Sequence, residues 1–252
     1  MFFPKKRILK GLIHIEGVAL PVRVALDLAS GHAYSLSARR ISLRLPVTAS
    51  ESLIREYLHI VQEWVVLQFE KHPSYREAYL GKEFQDGDQL QVGERRYTLF
   101  VGLKERATSS AKLKGDAIHL ELNAQLNSWQ RTKTVKTLLS RIVAKDFQAE
   151  INRRVQEINA RTFRQPIRSI NLKYNHSNWG SCSHAGNVNL STRLLFAPQE
   201  VQDYVILHEL AHLIEMNHSD RFWALVEQHM PNYQDAERWL KVHRAKCDFG
   251  GC

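Results

Sequence analysis

The chain has 252 residues, 44% of them hydrophobic, with 35 Lys or Arg against 26 Asp or Glu and a formal charge of +9. Such a composition supplies one substantial core or two small ones, so that disorder is not the default. No run approaches the roughly 18 consecutive apolar residues of a membrane-spanning helix, and Lys5, Lys6 and Arg7 lead into no apolar signal segment. The expectation is therefore a protein with no membrane partner.

From 7 to 47 short alternating segments such as Ile41-Ser42-Leu43-Arg44-Leu45, punctuated by Gly and Pro, predict strands of an antiparallel meander. Ser50 or Ser52 then opens a helix, because Leu53, Tyr57, Val61, Val65 and Phe69 recur at three- and four-residue spacing as far as Lys71. Strand character returns between 80 and 122, clearest at Tyr97-Thr98-Leu99-Phe100-Val101. Residues 128 to 161 read as a helix with one apolar stripe through Val135, Leu139, Val143, Phe147, Ile151 and Val155.

Strands follow at 167–174 and 187–190, flanking a loop, and Pro198 opens a helix that runs to about Met216. Shorter helices are expected at 220–229 and 233–246. The fold class is α+β, strand-rich at the N-terminus and helical at the C-terminus. No internal repeat is visible, and a boundary near 125 separates 1–125 from 126–252, the two possibly sharing one core.

Cys182, Cys247 and Cys252 are an odd number without Cys-x-x-Cys spacing, which argues against disulfides or a thiolate metal site and fits a reducing cytoplasm. The end bracketed by Cys247 and Cys252 is glycine-rich and reads as a frayed tail. Positive charge concentrates in the middle: residues 128–173 hold eleven Lys or Arg against three Asp or Glu, whereas 201–252 hold five against eight. A block of this kind steers anions or nucleic acid, or is simply a solvated helix face.

The chemistry concentrates at Leu207-His208-Glu209-Leu210-Ala211-His212-Leu213. Four-residue spacing sets both imidazoles on one face of the helix, as two zinc ligands require. Glu209 projects to the side where an activated water would lie, the position of a general base. The turn Asn217-His218-Ser219-Asp220 lets His218 swing back toward the same ion, leaving one coordination position open for hydrolysis. A surface reading of the pair fits poorly, since Val205, Ile206, Leu207, Leu210 and Ala211 surround it and polar groups on an apolar helix need partners. Zn2+ is the expected cofactor, though iron or cobalt suits the same imidazoles.

These residues, followed by Phe222-Trp223, resemble the YgjP-like zinc metallopeptidases, relatives of the SprT and Wss1 type. Trp179-Gly180-Ser181-Cys182-Ser183, Gly186 to Leu190, Asp203-Tyr204-Val205, Tyr233 and Trp239-Leu240 extend the likeness over about 174–241. The resemblance implies a zincin-like C-terminal part in which residues 179–182 lie beside the metal cleft, where an exposed strand edge pairs with an extended peptide. Trp179 and Cys182 also serve as ordinary packing residues on the simplest reading, and the neighbouring loop histidines His176 and His184 are candidates for touching substrate.

Three functions share these residues. The first is peptide or protein hydrolysis, with Glu209 taking the water proton and returning it to the leaving amine. The second is nucleotide phosphoanhydride hydrolysis at the same ion, with basic residues of 128–173 holding phosphates. The third, resting on charge alone, is a nucleic-acid-binding module that brings a protease to DNA-bound proteins.

Overall fold

Glu16 and Gly17 both adopt positive φ, 51° and 80°, which gives the tight turn that joins two right-twisted antiparallel strands. A computed structural model describes residues 6–28 and 30–250, and around this turn lie strands β1 (Arg7–Ile15) and β2 (Val18–Asp27). Strands β3 (Ala33–Ser37) and β4 (Arg40–Pro46) form a second hairpin. The sheet runs β1-β2-β4-β3, with β2 and β4 parallel. It is thus mixed, where an antiparallel meander was expected: apolar alternation sets which face of a strand is buried, not which neighbour it pairs with.

Helix α1 (Glu51–Lys71) starts at Ser50, whose hydroxyl accepts from the Leu53 amide at 3.2 Å. Its buried residues Val61, Val65 and Phe69 cluster with Val22, Val24, Ile41, Leu43 and Leu45 of the sheet. A further helix, α2 (Pro73–Leu80), was not foreseen; Pro73 fits its first turn, where an amide has no partner.

Strands β5 (Gln89–Val92), β6 (Arg95–Lys104), β7 (Ser110–Lys114) and β8 (Ala117–Asn123) form a second four-stranded sheet, ordered β5-β6-β8-β7, with β6 and β8 parallel. This is the first sheet again. Moving every number by 77 turns the pairs Ile13–Leu20, Val24–Leu43 and Leu36–Ile41 into Leu90–Tyr97, Val101–Leu120 and Leu113–Ile118, all of which are paired. The shift also carries Glu51 onto Ser128, where α3 (Ser128–Arg161) begins. Asn127 and Gln130 cap that helix reciprocally, Asn127 Oδ1 accepting from the Gln130 amide at 2.9 Å and Gln130 Oε1 from the Asn127 amide at 3.0 Å. The expectation of no internal repeat is corrected: the chain contains two ββββα modules in one register, with too few identical side chains to be read from the sequence.

Contacts divide the chain into residues 1–83 with 125–133 and residues 84–124 with 134–252. The division differs from the boundary read near 125, because the β5–β8 sheet groups with the helical remainder.

In this second unit the buried stripe of α3, from Val135 to Ile158, belongs to one core with Leu99, Ile118, Leu120 and the helices that follow. The Gln148 side chain donates to Ile170 O and accepts from the Leu172 amide, which ties α3 to strand β9 (Ser169–Lys173). A three-stranded sheet, β10-β11-β9, contains β10 (Gly180–Cys182) at its edge, antiparallel to β11 (Asn187–Ser191). Helices α4 (Gln199–Ala211), α5 (Asp220–His229) and α6 (Tyr233–His243) complete the unit, and Arg154 of α3 pairs with Asp203 of α4.

The tail is not frayed as far as Gly250. Cys247 and Phe249 are each 1% exposed, Phe249 meets Phe196 edge to face, and Lys136 pairs with Asp248 at 3.2 Å. Cys252 lies outside the described residues. No described helix is long and apolar enough to cross a membrane.

Candidate active site

Helix α4 ends at Ala211, about a turn earlier than the expected Met216, and His212 caps it. The chain then tightens, Leu213 and Ile214 amides bonding to Leu210 and Ala211 carbonyls at 3.0 Å, and this turn swings residues 215–219 back along the helix. Ser219 restarts the chain as a helix by accepting from the Phe222 amide. His218 therefore stands immediately before α5 and faces α4.

One ligand atom from each of His208, His212 and His218 lies within 4.8 Å of the others. The Nε2 atoms of His208 and His218 are 2.9 Å apart, somewhat closer than the roughly 3.4 Å spacing of two imidazoles on one tetrahedral zinc at about 2.0–2.1 Å. A carbonyl only accepts, so the 3.1 Å contact of His212 Nδ1 with Glu215 O assigns the proton to Nδ1 and leaves the Nε2 lone pair for the cluster. Burial, reinforced by the other two imidazoles, holds the His208 pKa down to about 3, and burial lowers that of His212. Buried imidazoles with free lone pairs suit a divalent cation better than protons. Among the described residues the buried His208 Nδ1 has no hydrogen-bond partner.

Glu209 is 5% exposed, and burial pushes its carboxyl up to about 8. Strand β10 is built against it: a Cβ on Gly180 would stand 2.5 Å from Glu209 Oε1 and 2.7 Å from its Cγ. Only glycine lets this backbone approach so closely, a constraint that the reading of 179–183 did not anticipate.

A cleft of about 680 Å³ is lined by Trp179 and Gly180, by His208 and Glu209, and by Leu240 and Lys241 of α6. Arg244 also lines it and donates to the backbone oxygens of His176 and Ser177. Trp179 is held under the guanidinium of Arg193, 4.8 Å from its ring centroid. Arg193 is itself buried and spends its donors on the carbonyls of Cys247, His176 and Arg244, which fastens the tail and the 174–179 loop behind the cleft wall. Cys182 lines the cleft with its thiol pushed up to about 11, by burial and then by Glu209, so it is a protonated thiol at neutral pH. His176 and His184 are exposed and do not line the cleft. Nor does any residue of 128–173; the basic side chains that line it are Lys241 and Arg244.

Sequence comparison matches residues 34–243 to the YgjP-like metallopeptidase domain. No curated protein matches the chain. Among solved structures, the metallopeptidase zymogen of Pyrococcus abyssi abylysin is similar at 21% identity, covering 36% of this chain and 93% of that chain with a TM-score of 0.34. With the family match extending over most of the chain, the protein belongs to the YgjP-like metallopeptidases, a family of metal-dependent peptide hydrolases.

Proposed function

We propose that the protein is a zinc peptidase in which His208, His212 and His218 hold the ion and Glu209 is the general base. The observation that carries the reading is the juxtaposition of a buried carboxyl, three convergent imidazoles and the edge of β10 in one cleft. When bound, zinc supplies Lewis-acid chemistry that polarises a carbonyl and acidifies water. Glu209 takes the proton of the attacking water and delivers it to the leaving amine. The main chain of β10 pairs with an extended substrate, and Gly180 keeps the Glu209 carboxyl aimed into the cleft. The free thiol of Cys182 supports a reducing, cytoplasmic setting.

A second reading, nucleotide phosphohydrolysis, is favoured by one feature: Lys241 and Arg244 line the same cleft and suit phosphate oxygens. Both are tested together. Protein purified without a metal-binding tag is analysed for metal and offered panels of peptides and nucleotides. The expected result is about one zinc per chain in wild type and Glu209→Gln, lost in His208→Ala and His218→Ala. Peptide cleavage should fall by roughly 10²- to 10⁴-fold in Glu209→Gln, the usual contribution of a positioned acid–base group. A metal-loaded Glu209→Gln that still turns over overturns the role of Glu209; phosphate release without peptide cleavage replaces the peptidase reading with the nucleotide one.

A further inference from the structure

His218 differs from the other two imidazoles in lacking a helix to hold it. It sits in the connection between α4 and α5 and is exposed, whereas His208 and His212 lie in or at the end of α4. A side chain so placed samples several rotamers unless something packs against it. What packs against it is aromatic. Trp223 stacks on the His218 ring at 5.7 Å with an interplanar angle of 29°, and Phe222 meets it edge to face at 4.8 Å.

The sequence positions explain the contact. Ser219 is the N-cap of α5, so His218 is the residue before the cap and Trp223 the fourth residue of the helix. Side chains at these two positions meet across the start of a helix as a hydrophobic staple, which sets the angle at which the chain enters. Here the outer half of the staple is an imidazole that points at two others.

Trp223 is in turn supported. Tyr233 stacks on its ring at 5.3 Å and 17°, and Tyr204 stacks on Tyr233 at 6.2 Å and 16°. The Tyr204 hydroxyl donates to Glu237 Oε1 at 2.9 Å, and its ring meets His208 edge to face at 5.9 Å. The stack therefore leaves the cluster at His218 and returns to it at His208, so that the loop-borne imidazole is referenced to the helix-borne one through three aromatic rings. Phe222, fully buried and stacked on His212 at 4.5 Å, closes the underside.

We propose that Trp223 is a positioning residue for the metal centre: as the inner half of the α5 staple, backed by Tyr233 and Tyr204, it holds the His218 ring in the orientation in which it binds the ion. The inference rests on the three-histidine reading above. It assigns Trp223 no contact with substrate or metal, only preorganisation of a ligand whose ordering otherwise costs affinity.

The test measures zinc affinity by competition with a chromophoric chelator for wild type, Trp223→Ala, Trp223→Leu and Trp223→Phe, together with the melting temperature of each metal-free protein. Leu keeps the apolar burial but has no flat face; Phe keeps the face. The expected result is a loss of about 10-fold or more in Ala and Leu, the range seen when a group behind a metal ligand is removed, with most of it restored in Phe. The metal-free melting temperature of Leu should match that of Phe. Equal affinity in Leu and wild type, or losses in Leu and Phe that track their melting temperatures, overturns the proposal. Should Ala not fold, Leu and Phe decide it alone. A wild type that takes up no zinc fails the metal-centre reading itself, an outcome separate from any difference among the Trp223 variants.

Discussion

The two ββββα modules share strand order, register and helix start, yet they bury different things. Among the described residues, the core of the first is apolar throughout its strands and α1, with Thr132 the one buried polar residue in that unit. The second unit buries Ser140, Asn159, Ser191, Thr192, Arg193, Glu209 and His212. Its helix also runs on, 34 residues in α3 against 21 in α1, and the elements that carry the cleft follow that extension. The lesson is that the repeated module is a scaffold whose stability comes from apolar burial, whereas the site is built from costly buried polar groups appended to one copy.

The comparison is broken most directly at matched core positions. Leu43 and Leu120 are 0% and 1% exposed and are related by the 77-residue shift. Each Leu→Ala change should cost roughly 2–5 kcal/mol by denaturant titration. Below the melting transition only Leu120→Ala, in the unit that contains the histidines, should also weaken zinc binding; equal weakening by Leu43→Ala would abolish the distinction between scaffold and site.

Next in size is Gly180→Ala. The added methyl falls 2.5 Å from Glu209 Oε1; with Glu209 as the general base proposed above, displacing its carboxyl by about 1 Å costs on the order of 10²-fold in rate. The expected signature is a fall in kcat with zinc content unchanged, and an unaltered kcat would show that Glu209 yields without consequence.

The buried carboxyl gives a pH signature that the apolar module lacks. In metal-free protein the Glu209 pKa is raised from 4.5 to about 8, so the folded state binds the extra proton and stability falls as pH rises through this interval. His208 acts oppositely: its pKa is lowered from 6.5 to about 3, so the unfolded state binds the extra proton and stability rises with pH, but only up to about 6.5. Between pH 6.5 and 8 the Glu209 effect stands alone, about 2 kcal/mol. Metal-free wild type should therefore lose melting temperature over that window and Glu209→Gln should not; a parallel decline in both variants would contradict this account.

The smallest effect tests the repeat itself. Ser50→Ala and Asn127→Ala remove equivalent helix caps and should each cost about 1 kcal/mol, with the reciprocal bonds of Asn127 and Gln130 making the second somewhat larger.

Local patterns in the sequence determined a good deal. Three- and four-residue periodicity located α1 and α3 nearly to the residue, alternation located the principal strands, and His208-Glu209-x-x-His212 with His218 marked the cluster, because these signals depend on neighbours a few residues apart. The three-dimensional fold decided what depends on distant partners. The parallel pairing of β2 with β4 and of β6 with β8, the short edge strand β10, the approach of Gly180 to Glu209 and the burial of the 247–250 tail beneath Arg193 are all contacts between segments far apart in the chain. Apolar alternation states that a strand has a buried face, but hydrogen-bond partners, close backbone approaches and the desolvation of Glu209 exist only once the separate segments are packed together.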